Sequence, residues 1–297
     1  MSSRVASSLG AAGALRCLGG LEESHAAVVE ARRGGRRVGL VPTMGALHDG
    51  HLSLVRASRD ECDYTVVTIF VNPAQFAPHE DFHKYPRTLE ADLDALGKCG
   101  VDLVFAPLAD SMYPPGFSTF VDPPRVAEPL EGRCRPGHFR GVTTIVLKLF
   151  HLLPADIAYF GQKDYQQCLV IRRMVEDLNV PITIRMCPTV REPDGLAMSS
   201  RNRYLSPEER RQAVWLSRSL RRAGQLVAEG QRDAHAIARE MEGMLRAAGI
   251  TRIDYVAVTD AETLQPVSRI GNKAMAMVAA HVGSTRLIDN CQLHAGT

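Results

Sequence analysis

Short β-branched runs alternate with longer helical patterns through the first two-thirds of the chain, and nothing else in the sequence restricts the fold as much. Runs at 37–42, 64–71, 103–106, 157–160 and 182–187 read as strands, and segments near 51–62, 88–98, 142–153 and 166–178 read as helices. Strands separated by helices imply βαβ crossovers, hence a parallel sheet covered on both faces. The pattern changes near Val190. Residues 192–195 (EPDG) read as a turn, and 206–209 (SPEE) as a capping box with proline at the first helical position. Two helical stretches follow, to about residue 229 and over 233–248, then strand-like runs at 255–259, 274–280 and 285–288. The expected class is α/β: a Rossmann-like parallel-sheet domain over 1–189, then a smaller C-terminal α+β lid domain over 190–297. The Pro- and Gly-bearing stretch 113–141 breaks the rhythm, and such long loops are usually functional or carry structure of their own.

A length of 297 residues suits one large and one smaller domain. The formal net charge of +2 is too small to point to nucleic acid or a membrane surface. Seven cysteines, an odd and scattered set without a CxxC pair, speak against a zinc site or disulfide framework and for free thiols in a reducing compartment. No apolar run reaches the roughly 18 residues of a membrane span, so cytoplasm is the expected location. Residues 1–21 contain Arg4 and Arg16 and no acid. Being Ala- and Gly-rich and only weakly amphipathic, they read as a frayed N-terminus rather than a transit peptide.

The segment VPTMGALHDGH (41–51) follows the first strand and opens a helix, with Asp49 able to cap it. An anion there meets free backbone N–H groups and the positive end of the helix dipole, and His48 and His51, three apart, add ring donors. A histidine pair at this spacing alone is commonly structural; the strand–turn–helix setting favours the phosphate-binding reading. Neither GxxxxGK[ST] nor GxGxxG occurs to compete for the role. In FVNPAQF (70–76), Gln75 carries an amide that donates and accepts, which suits a hydroxy acid. Gln75 can equally be a polar loop residue, and Asn72 before Pro73 a turn residue. In FGQKDYQQ (160–167), Gly161 permits close backbone approach, Lys163 brings a mobile positive charge, and Asp164 can accept from ribose hydroxyls. In GLAMSSRN (195–202), two hydroxyls and a guanidinium suit a phosphate chain whose charge shifts as pyrophosphate leaves.

The tetrapeptide HDGH (48–51) resembles the HIGH motif of nucleotidyltransferases and class I aminoacyl-tRNA synthetases, which make or transfer adenylates. The ordered blocks PTMGALHDGH, FVNPAQF, EDFHKYPRT, RPGHFRGV, FGQKDYQQ and GLAMSSRN, with TRLIDN at 285–290, resemble the pantothenate synthetase (pantoate–β-alanine ligase) family over nearly the whole chain beyond residue 20. The resemblance implies a cytoplasmic homodimer that condenses pantoate with β-alanine, using ATP and Mg2+, through a pantoyl-adenylate. It implies that Pro42, Thr43, Asn72, Gln75, Arg135 and Gln167 hold substrate, with Met44 and Phe76 beside the pantoate methyl groups. The nucleotide falls to Met44, Gly45, His51, Gly161, Lys163, Asp164, Met198, Ser199, Ser200 and Arg201. The catalytic set it implies is Met44, His48, His51, Lys163, Ser199, Ser200 and Arg201. Asp92 aligns with the family's metal-contacting acid, although the segment is less acidic here, leaving a water-mediated or purely structural role open. His79 and His83 read as surface residues. Two other readings use the same histidines: a nucleotidylyltransferase, and a non-catalytic adenine-nucleotide module, the latter disfavoured by the retained charged groups. A tRNA synthetase is weaker, since no anticodon-binding region is visible. Sequence names no general base for the amine step.

Overall fold

The computed structural model describes residues 15–78, 80–271 and 273–294. In chain order the first elements are β1 (Arg16–Leu18), α1 (Leu21–Arg33), β2 (Val38–Thr43), α2 (Asp49–Glu61), β3 (Tyr64–Ile69) and α3 (Leu89–Lys98). Then come β4 (Leu103–Phe105), α4 (Ala109–Met112), α5 (Glu131–Cys134), α6 (His138–Leu152), β5 (Ile157–Gly161), α7 (Tyr165–Asp177) and β6 (Thr183–Cys187). The last are α8 (Pro207–Ala228), α9 (Ala234–Ala247), β7 (Ile253–Asp260), β8 (Ala274–Val282) and β9 (Thr285–Leu293). They divide into two compact units.

The first unit comprises the described residues up to Pro124 with 135–161 and 170–187. It is built on a six-stranded sheet of order β1-β4-β3-β2-β5-β6, every neighbouring pair parallel. The expected α/β class is borne out. Buried Val41, Val67, Val104 and Tyr159 from the strands pack with Leu54 and Val55 of α2 and Leu96 of α3. Gly39 lets α2 lie close on β2, because a Cβ there would collide with Ser58 Oγ, which is hydrogen-bonded to Thr65 Oγ1 at 2.8 Å. Parallel strands carry their outgoing loops at their C-terminal edge, where open α/β sheets bind ligands. The turn after β2 and the loop after β3 both leave that edge.

The expectation for the N-terminus needs correction where residues are described. Arg16–Leu18 is a sheet strand paired with β4, and α1 follows it; residues 1–14 lie outside the described residues, as does His79. The stretch 113–141 holds a 3-10 turn at Arg125–Ala127, α5 and the start of α6. All seven cysteines are free thiols. Among the described residues, no helix is long and apolar enough to cross a membrane.

The second unit comprises 125–134, 162–169 and 188 onward. Its antiparallel sheet runs β7-β8-β9, and α8 and α9 supply Leu216, Leu220, Ile237 and Met241 to its core. The capping box at 206–209 forms as expected, and the turn at 192–195 closes with Gly195 N–H donating to Glu192 O at 2.8 Å. A contiguous cut at 189/190 does not describe this unit, because two earlier segments are tied into it by polar bonds. Glu131, only 5% exposed, accepts from both Arg286 Nη atoms at 2.8 and 2.7 Å and from Tyr255 OH at 2.9 Å. Buried Gln166 donates to the carbonyls of Val126 and Pro129 and accepts from Glu131 N–H. Tyr165 OH donates to Ala261 O at 2.8 Å. A carboxylate that deeply buried would be strongly destabilising without such partners.

Candidate active site

In the first unit the turn after β2 is shaped by its own hydroxyl and by one acid. Thr43 Oγ1 donates to Thr68 O at 2.6 Å and accepts from Gly45 N–H at 3.1 Å. Gly45 and Ala46 both take positive φ, 78° and 50°, the left-handed region that favours glycine. The next amides go to Asp92: Ala46 N–H donates to Oδ2 and Leu47 N–H to Oδ1, each at 2.9 Å, and Thr88 Oγ1 adds a bond at 3.2 Å. Asp92 is 3% exposed. Its carboxylate therefore holds the turn, which is the structural one of the roles left open for it. Among the described residues no group of three or more His, Cys, Asp or Glu side chains is placed to hold a metal ion. Met44 N–H has no intramolecular partner among the described residues.

The helix start differs from expectation in a way that matters chemically. The N-cap is His48, and Asp49 is the first helical residue instead. His48 Nδ1 accepts from Gly50 N–H at 3.2 Å, and His51 Nδ1 accepts from His48 N–H at 3.4 Å. A neutral imidazole nitrogen that accepts bears no hydrogen, so in each ring the hydrogen sits on Nε2. The two rings, with centroids 4.1 Å apart, are thereby fixed as a pair of Nε2–H donors at the positive end of α2.

Asn72, 1% exposed, organises the loop after β3. Its Oδ1 accepts from Tyr113 OH at 2.7 Å and Ala74 N–H at 3.3 Å, and its Nδ2 donates to Gly141 O at 3.1 Å and Gln75 Oε1 at 3.0 Å. These bonds set the orientation of both amides. With Oε1 engaged, Gln75 directs its Nε2 to Met44 Sδ at 3.1 Å. A Cβ at Gly141 would collide with the Ala74 carbonyl, so glycine lets α6 approach this loop. Burial pushes the Tyr113 phenol up to about 12, so it stays a donor well into alkaline pH. Tyr113 was not among the residues read from sequence.

Arg135 is turned toward a carboxylate of its own chain. Its Nε donates to Glu80 Oε1 at 2.6 Å and its Nη2 to Glu80 Oε2 at 2.8 Å. Arg135 Nη1 lies 3.1 Å from His138 Nε2, and His138 Nδ1 lies 2.9 Å from Gln75 O. A guanidinium only donates, so His138 accepts at Nε2 and donates from Nδ1 to that carbonyl. Burial works to raise the Glu80 carboxyl, but the hydrogen bonds and charge of Arg135 outweigh it and hold Glu80 below the usual carboxylate value. Glu80 and His138 went unnoticed in the sequence, although both lie inside quoted blocks.

Gly161, at the end of β5, and Pro42, in β2, also belong to the first unit, and the remaining candidates belong to the second. Lys163 Nζ lies 3.5 Å from Asp164 Oδ1 within a 3-10 turn, Gln162–Asp164. The neighbouring glutamines separate in role, Gln166 being buried in the fold and Gln167 half-exposed. Ser199 caps a 3-10 turn, Ser200–Tyr204, its Oγ accepting from Arg201 N–H at 3.3 Å. Ser200 is buried, and Asn202 braces the turn by donating to Ala197 O at 3.0 Å. Met44, His48, His51, Asn72, Gln75 and Arg135 thus belong to one unit, and Lys163, Asp164, Gln167 and Met198 to Arg201 to the other.

A sequence profile of the pantoate–β-alanine ligase family matches residues 17–292. The chain belongs to the pantoate–β-alanine ligase family. Pantothenate synthetase from Moorella thermoacetica is 55% identical over 266 residues, covering 90% of this chain and 94% of its own. The crystal structure of pantothenate synthetase from Thermus thermophilus superposes with a TM-score of 0.89 at 47% identity, covering 93% of this chain and 98% of that one. The pantoate–β-alanine ligase from Francisella tularensis, in a crystal structure complexed with β-γ ATP and β-alanine, gives a TM-score of 0.79 at 34% identity over 94% and 97% of the two chains. This pantoate–β-alanine ligase family member is thus an enzyme with the family's fold along almost its whole length.

Proposed function

We propose that the chain condenses pantoate with β-alanine in two steps, first making pantoyl-adenylate and pyrophosphate from pantoate and ATP, then pantothenate and AMP. The observation that carries this reading is the paired Nε2–H donors of His48 and His51, fixed by the backbone at a helix start within this family's fold. A carboxylate oxygen of pantoate attacks the ATP α-phosphorus, and the bond to the pyrophosphate oxygen breaks. The acid is ionised at neutral pH and needs no general base. Catalysis is then positioning and charge stabilisation. His48, His51 and Met44 N–H donate to phosphate oxygens, and Lys163, Ser199, Ser200 and Arg201 balance charge as pyrophosphate departs. Asp164 takes the ribose, with Gly45, Gly161 and Met198 as backbone walls for the nucleotide.

Gln75 and Gln167 hold the pantoate oxygens, and Pro42, Thr43 and Asn72 complete the setting. The Gln75 amide, its oxygen engaged by Asn72, acts as a donor. Arg135 acts from its Glu80 and His138 partners, which makes it a support for the Gln75 backbone. In the second step the β-alanine amine attacks the acyl carbon, AMP leaves, and the amine loses a proton to water or a histidine. Mg2+ usually keeps several waters and binds with substrate phosphates. Mg2+ bound with the ATP phosphates would offset their charge, and Asp92, held at the β2–α2 turn, would be the acid of this site available to reach it directly or through water. The working assembly is a cytoplasmic homodimer, to be checked by sedimentation.

Pure protein incubated with ATP, Mg2+, pantoate and β-alanine, each omitted in turn and resolved by mass, tests the reaction. Pantothenate and AMP with all components, and one equivalent of acyl-adenylate without β-alanine, are expected. Absence of pantoate-dependent pyrophosphate would overturn the substrate assignment. Lys163→Ala should slow pantoate-dependent ATP–pyrophosphate exchange by about 10²–10³-fold, the usual loss of one transition-state donor.

A further inference from the structure

Asp289 and Asn290 are neighbours on β9, 3% and 4% exposed, in the TRLIDN run to which the reaction assigns no role. Each holds a different loop of the second unit. Asn290 Nδ2 donates to Gln162 O at 3.0 Å and to Lys163 O at 2.8 Å, bracing the short turn that carries the lysine. Asp289 Oδ2 and Oδ1 accept from Arg191 Nη1 and Nη2 at 2.7 and 3.0 Å. Arg191 Nη1 also donates to Gly195 O at 3.1 Å, and the Arg191 backbone bridges to Ala197, directly before Met198 to Arg201. The two anchors are locked to each other, because Asp289 Oδ1 accepts from Asn290 N–H at 2.8 Å.

One feature of Asn290 separates anchoring from packing. Its Oδ1 is buried with no partner among the described residues. A buried amide with one end unbonded is unfavourable as filler, so its value lies in the two N–H groups. Those groups grip consecutive carbonyls, which fixes the direction of the backbone at Lys163. Asp289 does the equivalent for the other segment through a bidentate ion pair, the geometry that restricts an arginine most.

We propose that Asp289 and Asn290 are positioning residues for adenylate formation: Asn290 acts through Lys163, and Asp289 acts through Arg191 on the segment Met198 to Arg201. This rests on the reading of Lys163 and Arg201 as groups that meet the departing pyrophosphate. Misplacement of a reacting group by about 1 Å can cost roughly 10²-fold in rate, which sets the scale expected when an anchor is lost.

The test is a double-mutant cycle on ATP–pyrophosphate exchange, using Asn290→Ala and Lys163→Ala alone and together. Asn290→Ala should lower the exchange kcat by about 10–100-fold and leave the KM for pantoate unchanged. In the Lys163→Ala background it should cost less than about threefold more, since the group it positions is gone. An equal loss in both backgrounds, or near-normal exchange in the single variant, would overturn the proposal. Normal exchange in Lys163→Ala alone would instead remove the lysine assignment, a separate failure. Should Asn290→Ala not fold, Asn290→Asp keeps the shape and removes the donors; the same cycle applies, and wild-type exchange in that variant is again fatal. Asp289→Asn paired with Arg201→Ala tests the second anchor by the same criterion.

Discussion

At α8, Ser206 Oγ accepts from Glu209 N–H at 3.2 Å and Glu209 Oε2 accepts from Ser206 N–H at 2.8 Å. At α2 imidazoles take the corresponding roles, His48 accepting from Gly50 N–H and His51 from His48 N–H. Both arrangements satisfy backbone donors that a helix start leaves unpaired. In the first, the side chains end at the atoms that cap. In the second, each ring has another nitrogen, and the cap bond decides that it carries the hydrogen. A helix start capped by histidines is therefore structural support and a donor pair at once, with the tautomers set by the backbone.

The largest effect that can break this comparison comes from His48→Ser. Serine is a good N-cap, so thermal unfolding should stay close to wild type, whereas pantoate-dependent pyrophosphate exchange should fall by about 10²–10³-fold. Retained exchange would mean the capping function is all that His48 supplies. Asn72 offers an intermediate case, since its Oδ1 caps a 3-10 turn while its Nδ2 aligns Gln75. Tyr113→Phe removes the phenol that orients that amide, and it should raise the KM for pantoate about tenfold with kcat nearly unchanged, matching a lost hydrogen bond of about 1.4 kcal/mol. Steady-state kinetics at saturating ATP decide this, and an unaltered KM would detach Tyr113 from substrate binding.

Smaller effects belong to the purely structural caps. Ser206→Ala should destabilise the fold by about 1 kcal/mol in urea titrations while kcat and KM remain those of wild type. A kinetic defect there would bring the α8 cap closer to the α2 one than the comparison allows. The smallest effect concerns Asp233, the N-cap of α9, whose carboxyl is held below its usual value by the N–H of Ala236. A depressed folded value means its contribution is present above the unfolded pKa of about 3.9 and fades as pH falls through the folded one. The difference in urea midpoint between wild type and Asp233→Asn should therefore shrink between about pH 6 and pH 2.5; a constant difference would show that the charged carboxylate adds nothing to the cap.

The strands from β2 to β6 were legible because β-branched runs bounded by helical periodicity leave little alternative, and the α8 cap because its four residues are contiguous. β1 was not, being three residues long beside an Ala- and Gly-rich segment; its strand state comes from pairing with β4. The blocks at 41–51, 160–167 and 195–202 were visible as strings, but the partners around them were not. Tyr113 reaches Asn72 across 41 positions, Glu80 meets Arg135 across 55, and Arg286 meets Glu131 across 155. No local spacing encodes such pairs. The division of the chain into units was hidden for the same reason, because 125–134 and 162–169 are held by residues far along the chain.

By itself the sequence determined the α/β alternation, the order of the family's blocks and the presence of two histidines at the opening of a helix, since each depends on residues a few positions apart. Tertiary structure alone decided what the polar groups are for. It made Asp92 the anchor of the β2–α2 turn, gave Arg135 to Glu80, and placed Asp289 and Asn290 behind two loops. The physical reason is that a buried polar group takes whichever partner the packing brings within about 3 Å, and only the folded register of strands and helices specifies that partner.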